Sequence, residues 1–374
     1  MTNKNFTYKR LGDYIREINV RNKDLSVSKL MGINIDKYFM PSVANVIGTD
    51  MSNYKVVANG QFACNLMHVG RDEKIPVALN TEDPIIVSPA YFVFEVCDDS
   101  LLPEYLELSL RNPEFDRNAW FHTDGDVRGG MDKEGMKDLL IPVPSLEEQR
   151  SIVSRYKAIE TRISNNKQTI AKLEEAAQAL YRKMFVDMSD CKKCLLSDFA
   201  TFQEGYVNPS QENVEYFDGE VKWLRAVDVN ESYIFDTTRT LTKKGFESAG
   251  KSALLFEPNT IAITKSGTIG RLGIVSDFMC GNRAIINIKP KDSQRLPFIY
   301  LYLQTCKNEF YNMAVGSAQK NLYVPLLAKM DLIQPEENTL NEFCEKANSI
   351  FCHMKNICFE NNKLKEVLSV LSRV

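Results

Sequence analysis

Leu146–Met184 reads LEEQRSIVSRYKAIETRISNNKQTIAKLEEAAQALYRKM and contains neither proline nor glycine. Ile152, Tyr156, Ile159, Ile163, Asn166, Ile170, Leu173, Ala177, Leu180 and Met184 follow one another in alternating steps of four and three, the spacing of a coiled-coil seam. A helix with such a stripe needs an apolar partner, and the chain supplies one. In Leu340–Leu371, LNEFCEKANSIFCHMKNICFENNKLKEVLSVL, the same spacing links Phe343, Ala347, Ile350, Met354, Ile357, Asn361, Leu364, Leu368 and Leu371. Adding 191 to each seam position from Ile152 to Leu180 lands on a seam position of the second helix without a gap, so the two helices are copies.

The segments before the helices also repeat. Leu11-Gly12-Asp13-Tyr14 matches Leu196-Ser197-Asp198-Phe199, Asn59-Gly60-Gln61-Phe62-Ala63 matches Pro258-Asn259-Thr260-Ile261-Ala262, and Leu102-Pro103 returns as Leu296-Pro297. Just ahead of the helices, Leu139-Leu140-Ile141-Pro142 parallels Asp331-Leu332-Ile333-Gln334. Short runs rich in β-branched residues, Ile85-Ile86-Val87 and Thr260–Thr264, alternate with Gly, Asn and Asp turns and short helical stretches. The expectation is an α+β protein of two similar domains, each followed by a long helix: domain 1 over 1–145, helix 1 over 146–187, domain 2 over 188–337 and helix 2 over 338–374.

Composition sets outer bounds. The chain has 374 residues, 44% hydrophobic and 25% charged, enough for two cores. No run of about 18 apolar residues and no apolar leader is visible, so a cytoplasmic, membrane-free protein is expected. Nine irregularly spaced cysteines read as free thiols in a reducing compartment. A net charge of -3 speaks against a nucleic-acid binder unless Lys and Arg gather on one face.

The order domain, helix, domain, helix resembles the specificity subunits of Type I restriction-modification systems along nearly the whole chain. Ser88-Pro89-Ala90-Tyr91 and Ile141-Pro142-Val143-Pro144 followed by Glu147-Glu148-Gln149-Arg150 are similar to that family's wording at the end of a target recognition domain. Trp223-Leu224-Arg225, Asp228, Thr264-Lys265-Ser266-Gly267-Thr268-Ile269-Gly270 and Gly316-Ser317-Ala318-Gln319 are similar to its second-domain wording. The resemblance implies a non-catalytic DNA-binding subunit. Each target recognition domain would read half of a split site in double-stranded DNA, the helices would set the gap, and two modification (methyltransferase) subunits, with restriction subunits, would be its partners. It also implies that S-adenosylmethionine and ATP with Mg belong to the partners, with no cofactor on this chain. Pro335-Glu336-Glu337-Asn338 departs from the Pro-x-x-x-Glu-Gln wording, which puts equal partner binding at the two helix starts in doubt.

The residues themselves offer no reaction centre. Asn112-Pro113-Glu114-Phe115 and Asn208-Pro209-Ser210-Gln211 do not match the Asn-Pro-Pro-aromatic motif of a methyltransferase, and Gly250-Lys251-Ser252, with Gly245 five positions earlier, lies in a Lys-rich turn and not at the strand-to-helix junction that a phosphate-binding loop needs. Cys191-Lys192-Lys193-Cys194 has no second cysteine pair to complete a tetrahedral metal site, so it reads as a linker. His68, His122 and His353 are scattered. A fused methyltransferase or nuclease is therefore disfavoured, while a coiled-coil scaffold without DNA readout stays open as the alternative.

Base readout needs Arg or Lys for guanine and Asn or Gln for adenine, presented on turns. Candidates are Asn65, His68, Arg71 and Arg128 in the first half, and Arg225, Lys265, Ser266, Thr268, Arg271, Asn282, Arg283, Gln319, Lys320 and Asn321 in the second. Trp223 and Tyr206 read as packing residues, and the bases recognised are not legible.

The seam also predicts a register. Each helix carries one polar seam residue, Asn166 and Asn361, and a buried amide is satisfied best by another amide. An antiparallel pair that sets them opposite each other places Ile163 against Leu364, Leu173 against Met354 and Leu180 against Ala347. An overlap of about 30 residues spans roughly 45 Å, which puts two half-sites on the order of one DNA turn apart.

Overall fold

The computed structural model describes residues 7–42, 48–67, 69–123, 130–186, 192–316 and 319–371. It comprises two compact units, Met1–Arg162 with Leu364–Val374, and Ile163–Lys363. Each unit therefore takes a part of both long helices.

The first unit is built on a four-stranded antiparallel sheet in the order Ile15–Glu17, Phe92–Val96, Gln61–Cys64, Val77–Leu79. In the second unit Ala200–Glu204, Ile285–Pro290, Thr260–Thr264 and Leu272–Val275 repeat that order, and Tyr233–Ile234 is added in parallel at the far edge. The duplication thus extends to turn chemistry. Gly60 (φ 83°) and Asn259 (φ 61°) both lie in the left-handed region just before the equivalent central strands. Their amides donate to Asn80 and Val275 at the ends of the neighbouring strands, each at 2.8 Å. Glycine adopts this conformation freely and asparagine tolerates it, so the two residues serve one turn.

Both halves close in the same way. Tyr8–Arg10 pairs antiparallel with Leu140–Pro142, and Lys193–Leu195 with Asp331–Ile333. Leu11 N donates to Leu139 O at 2.8 Å, and Leu196 N to Met330 O at 3.0 Å. The helices Pro103–Leu110 and Leu296–Thr305 both carry proline in the first turn, where its missing N–H costs nothing. Phe62, Phe92, Phe94 and Tyr105 fill the first core, and Ile261, Ile286, Phe298 and Phe310 the second.

The long helices run over Leu146–Tyr181, continued by a π-wound turn at Arg182–Val186, and over Glu337–Leu371. At 1.5 Å per residue each is about 50 Å long. Within the second unit they pair. Asn166 Nδ2 donates to Asn361 Oδ1 at 2.9 Å and to Glu360 Oε2 at 3.0 Å. Further along the first helix, Tyr181 and Phe185 meet Phe343 with ring centroids 5.9 and 5.0 Å apart. Rising numbers on one helix meet falling numbers on the other, which makes the pair antiparallel. Leu173 and Met354 join the same core, Ile163 is buried and Leu364 half-buried.

The seam departs from the expected one at the end of the first helix. Leu180 and Met184 are only half-buried, whereas Tyr181 and Phe185 are 3% and 0% exposed. Phe298 and Phe343 form an aromatic pocket there, and burying large rings outweighs keeping the stripe straight. The π-wound turn follows the shifted residue Tyr181. The second helix is also buried on a second side: Phe351 O accepts from Tyr233 Oη at 2.9 Å, and the Phe351 ring packs edge-on against Tyr300.

The departure at Pro335-Glu336-Glu337-Asn338 now has a physical account. Gln149, fully buried, donates to Ser100 O at 2.8 Å and Pro144 O at 2.9 Å and accepts from Leu102 N at 2.8 Å. It ties the first helix to its own domain. The residue 191 positions later is Leu340, 1% exposed in the second core. One joint is hydrogen-bonded and the other apolar. No helix among the described residues is long and apolar enough to cross a membrane.

Candidate nucleic-acid interface

The hairpin joining Thr260–Thr264 to Leu272–Val275 is Lys265–Arg271. Thr264 Oγ1 closes it by donating to Thr268 O and accepting from Arg271 N at 2.9 Å, while Gly270 N donates to Thr264 O at 2.9 Å. Gly267 (φ 73°) and Gly270 (φ 84°) take backbone conformations that side chains resist, and a Cβ at Gly270 would also strike the Phe310 ring at 2.8 Å. The glycine spacing of this segment is therefore set by the turn.

Two further loops are tied to it. Lys265 N donates to Ala284 O at 2.6 Å, and Lys265 O accepts from Leu322 N at 2.9 Å. A fourth segment joins through Gly205 N to Ile285 O at 2.9 Å, Val207 N to Gly281 O at 3.1 Å and Arg283 N to Asn208 Oδ1 at 3.1 Å. Segments 204–208, 265–271, 281–284 and 319–323 thus form one surface. It presents Tyr206, Thr268, Arg283, Gln319 and Tyr323 to solvent, with Lys320 placed 4.2 Å over the exposed Tyr311 ring.

The candidates divide by what already holds them. Lys265 Nζ is paired with Glu204 at 2.8 Å, with both side chains under a fifth exposed, and lies 5.1 Å above the Tyr323 ring. Glu204 also takes the Tyr206 hydroxyl and holds its pKa above the ordinary value. Arg225 donates to Thr238 Oγ1, faces Asp228 and stacks on Trp223 at 5.4 Å. Arg271 Nη1 reaches Val229 O at 3.3 Å. Asn282 Oδ1 accepts from Ala284 N at 3.0 Å, and Asn321 Nδ2 donates to Gln319 O at 3.2 Å. These groups shape the loops. By contrast, the side chains of Ser266, Thr268, Arg283 and Gln319 have no hydrogen-bond or ion-pair partner among the described residues and are available to a ligand.

In the first unit the topological equivalent of this hairpin is the connection between Gln61–Cys64 and Val77–Leu79. Asn65 opens it, with Oδ1 accepting from Met67 N at 3.2 Å, and Met131 N donates to Leu66 O at 3.0 Å. Arg71 belongs to the short helix Val69–Asp72. His68 and Arg128 lie outside the described residues. The signal missed in the sequence was Asn208, whose role becomes visible only once strand pairing brings it beside Arg283.

Nothing in this arrangement resembles a reaction centre. Gly250–Ser252 is a 3₁₀ turn leading into the strand Leu255–Phe256, so it offers no strand-to-helix phosphate cradle. Cys191 lies outside the described residues, and among those described no three His, Cys, Asp or Glu side chains are placed to hold a metal. Burial pushes the Cys280 and Cys344 thiols up to about 12 and about 11, away from reactivity.

Two copies of one sheet, the second presenting a loop surface and both leading into long helices that pair, define a duplicated recognition protein. Residues 188–349 match the family described as the Type I restriction modification DNA specificity domain. The chain as a whole is similar to the HindI specificity subunit of Haemophilus influenzae, 22% identical across 96% of both chains. It is also similar to the MjaIX specificity subunit of Methanocaldococcus jannaschii, 24% identical across 45% of this chain and 39% of that one. Among solved structures, the S subunit of a Type I system from M. genitalium covers all of this chain and 96% of its own, with a TM-score of 0.57 at 15% identity, a likeness of fold. The resemblance to Type I specificity subunits therefore spans the chain.

Proposed function

We propose that the chain reads a split site in double-stranded DNA and brings catalytic partners to it, doing no chemistry itself. The observation that carries this reading is the duplicated sheet with an equivalent loop in each half, the second of which gathers Ser266, Thr268, Arg283, Gln319 and Lys320 on one surface. Amide, hydroxyl and guanidinium groups without internal partners are what base edges and phosphates require.

In this reading the partners are two modification subunits, joined by restriction subunits, in the cytoplasm. S-adenosylmethionine and ATP with Mg reside on those partners. The half-sites are read separately, Arg71 serving the first and Arg283 the second. Selection of random duplexes by the full chain, alone and with its modification subunits, tests the proposal. A bipartite consensus with an unread gap is expected, and Arg71→Ala should alter one half of it while Arg283→Ala alters the other. Absence of any consensus would return the chain to the scaffold class.

A further inference from the structure

We propose that Arg283 is the guanine-reading residue of the second half-site and that Asn208 is its positioning residue. This deepens the DNA-reading function and rests on it. The loop between Met279–Gly281 and Ile285–Pro290 is held at nearly every backbone group: Asn282 N donates to Leu224 O at 3.0 Å, Ile285 N to Asn282 O at 3.1 Å and Ala284 N to Asn282 Oδ1 at 3.0 Å. Asn208 Oδ1 accepts from Arg283 N at 3.1 Å. The space beneath is filled. A Cβ at Gly205 would collide with the carbonyl oxygen of Asn282, and one at Gly281 with the Phe256 ring.

A rigid backbone therefore carries an exposed arginine with no hydrogen-bond or ion-pair partner among the described residues. Arg225, Lys265 and Arg271 are committed to Thr238, Glu204 and Val229, and Lys320 lies over the Tyr311 ring. An arginine fixed at its Cα spends no further backbone entropy when its planar fork meets O6 and N7 of guanine, and the fork loses less side-chain entropy per hydrogen bond formed; a flexible phosphate contact would not need such a built loop.

The test is duplex selection by the full chain and by Arg283→Ala, Arg283→Gln and Asn208→Ala, with thermal midpoints recorded for each variant. The expected result is a loss of guanine preference at one position of one half-site, about five- to 150-fold in the alanine variant, with the other positions intact. Arg283→Gln should move that position toward adenine, and Asn208→Ala should weaken the same position at an unchanged midpoint. An even loss of affinity over all sequences with a shallower salt dependence would make Arg283 a phosphate contact and overturn the assignment. So would an unaltered consensus. A native chain that selects no sequence overturns the DNA-reading function itself, a different result from either.

Discussion

The carboxamide of Asn166 donates to that of Asn361 across 2.9 Å, in a helix seam that is otherwise apolar. Two polar groups that satisfy each other cost little, and every shifted register strands both. The pair therefore acts on specificity of alignment more than on stability. Replacing Asn166 alone with Leu should lower unfolding stability by about 1–3 kcal/mol, because Asn361 is left buried without its donor. The double replacement by Leu should recover that loss or exceed it while relaxing the alignment. Urea unfolding of the three proteins measures this. Equal stabilities of the single and double variants would contradict it.

Gln149 makes three hydrogen bonds at the first helix joint, while Leu340 fills the corresponding place with hydrocarbon. Exchange of the two should fail in both directions. Gln149→Leu strands Leu102 N and the Ser100 and Pro144 carbonyls, costing about 3 kcal/mol, and Leu340→Gln buries an amide without partners at a similar cost. Thermal midpoints several degrees below the parent are expected for each, and an unchanged midpoint for either would show that the joint is not fixed by these contacts.

Gly205→Ala places a methyl group against the Asn282 carbonyl, so the loop that carries Arg283 must shift. The expected effect is a loss of recognition confined to the half-site served by the second unit, roughly tenfold or more if a base contact is lost. Methylation mapping in the assembled complex reads it. A uniform effect on both half-sites would point to general unfolding.

Burial raises the pKa of Glu174 above its ordinary 4.5, Lys307 opposes the shift and Glu231 adds to it. The folded state thus holds this proton more tightly than the unfolded chain. Stability is favoured below pH 4.5 and declines as pH rises through the raised folded value. Glu174→Gln should therefore stabilise the protein at pH 7.5 and make little difference near pH 4. Urea midpoints at the two pH values check this, and an equal effect at both would contradict it.

The helices and the duplication were legible because both are periodic: a stripe at steps of three and four, and one offset repeated across the chain. Asn166 and Asn361 stood out for the same reason. The loop surface was legible only as a set of residue types. Arg225, Lys265 and Arg271 look like Arg283 in sequence, and what separates them is a long-range partner. Thr238, Glu204 and Val229 engage these three cations only after strands far apart in the chain have paired. The slip from Leu180 to Tyr181 was hidden likewise, since its cause is an aromatic pocket contributed by Phe298 and Phe343.

The strand pairs that close each half also impose an order of assembly. Tyr8 pairs with Pro142 and Lys193 with Ile333, so each half can shut as soon as its last strand has been synthesised. The clasp between Asn166 and Asn361 cannot form until the final helix exists. During translation the part of the first helix around Asn166 therefore lacks its partner while the second domain is being made. The vulnerable interval lies in synthesis of the second half, and codons or substitutions that slow it lengthen the period in which one chain's bare helix can pair with that of another ribosome's product.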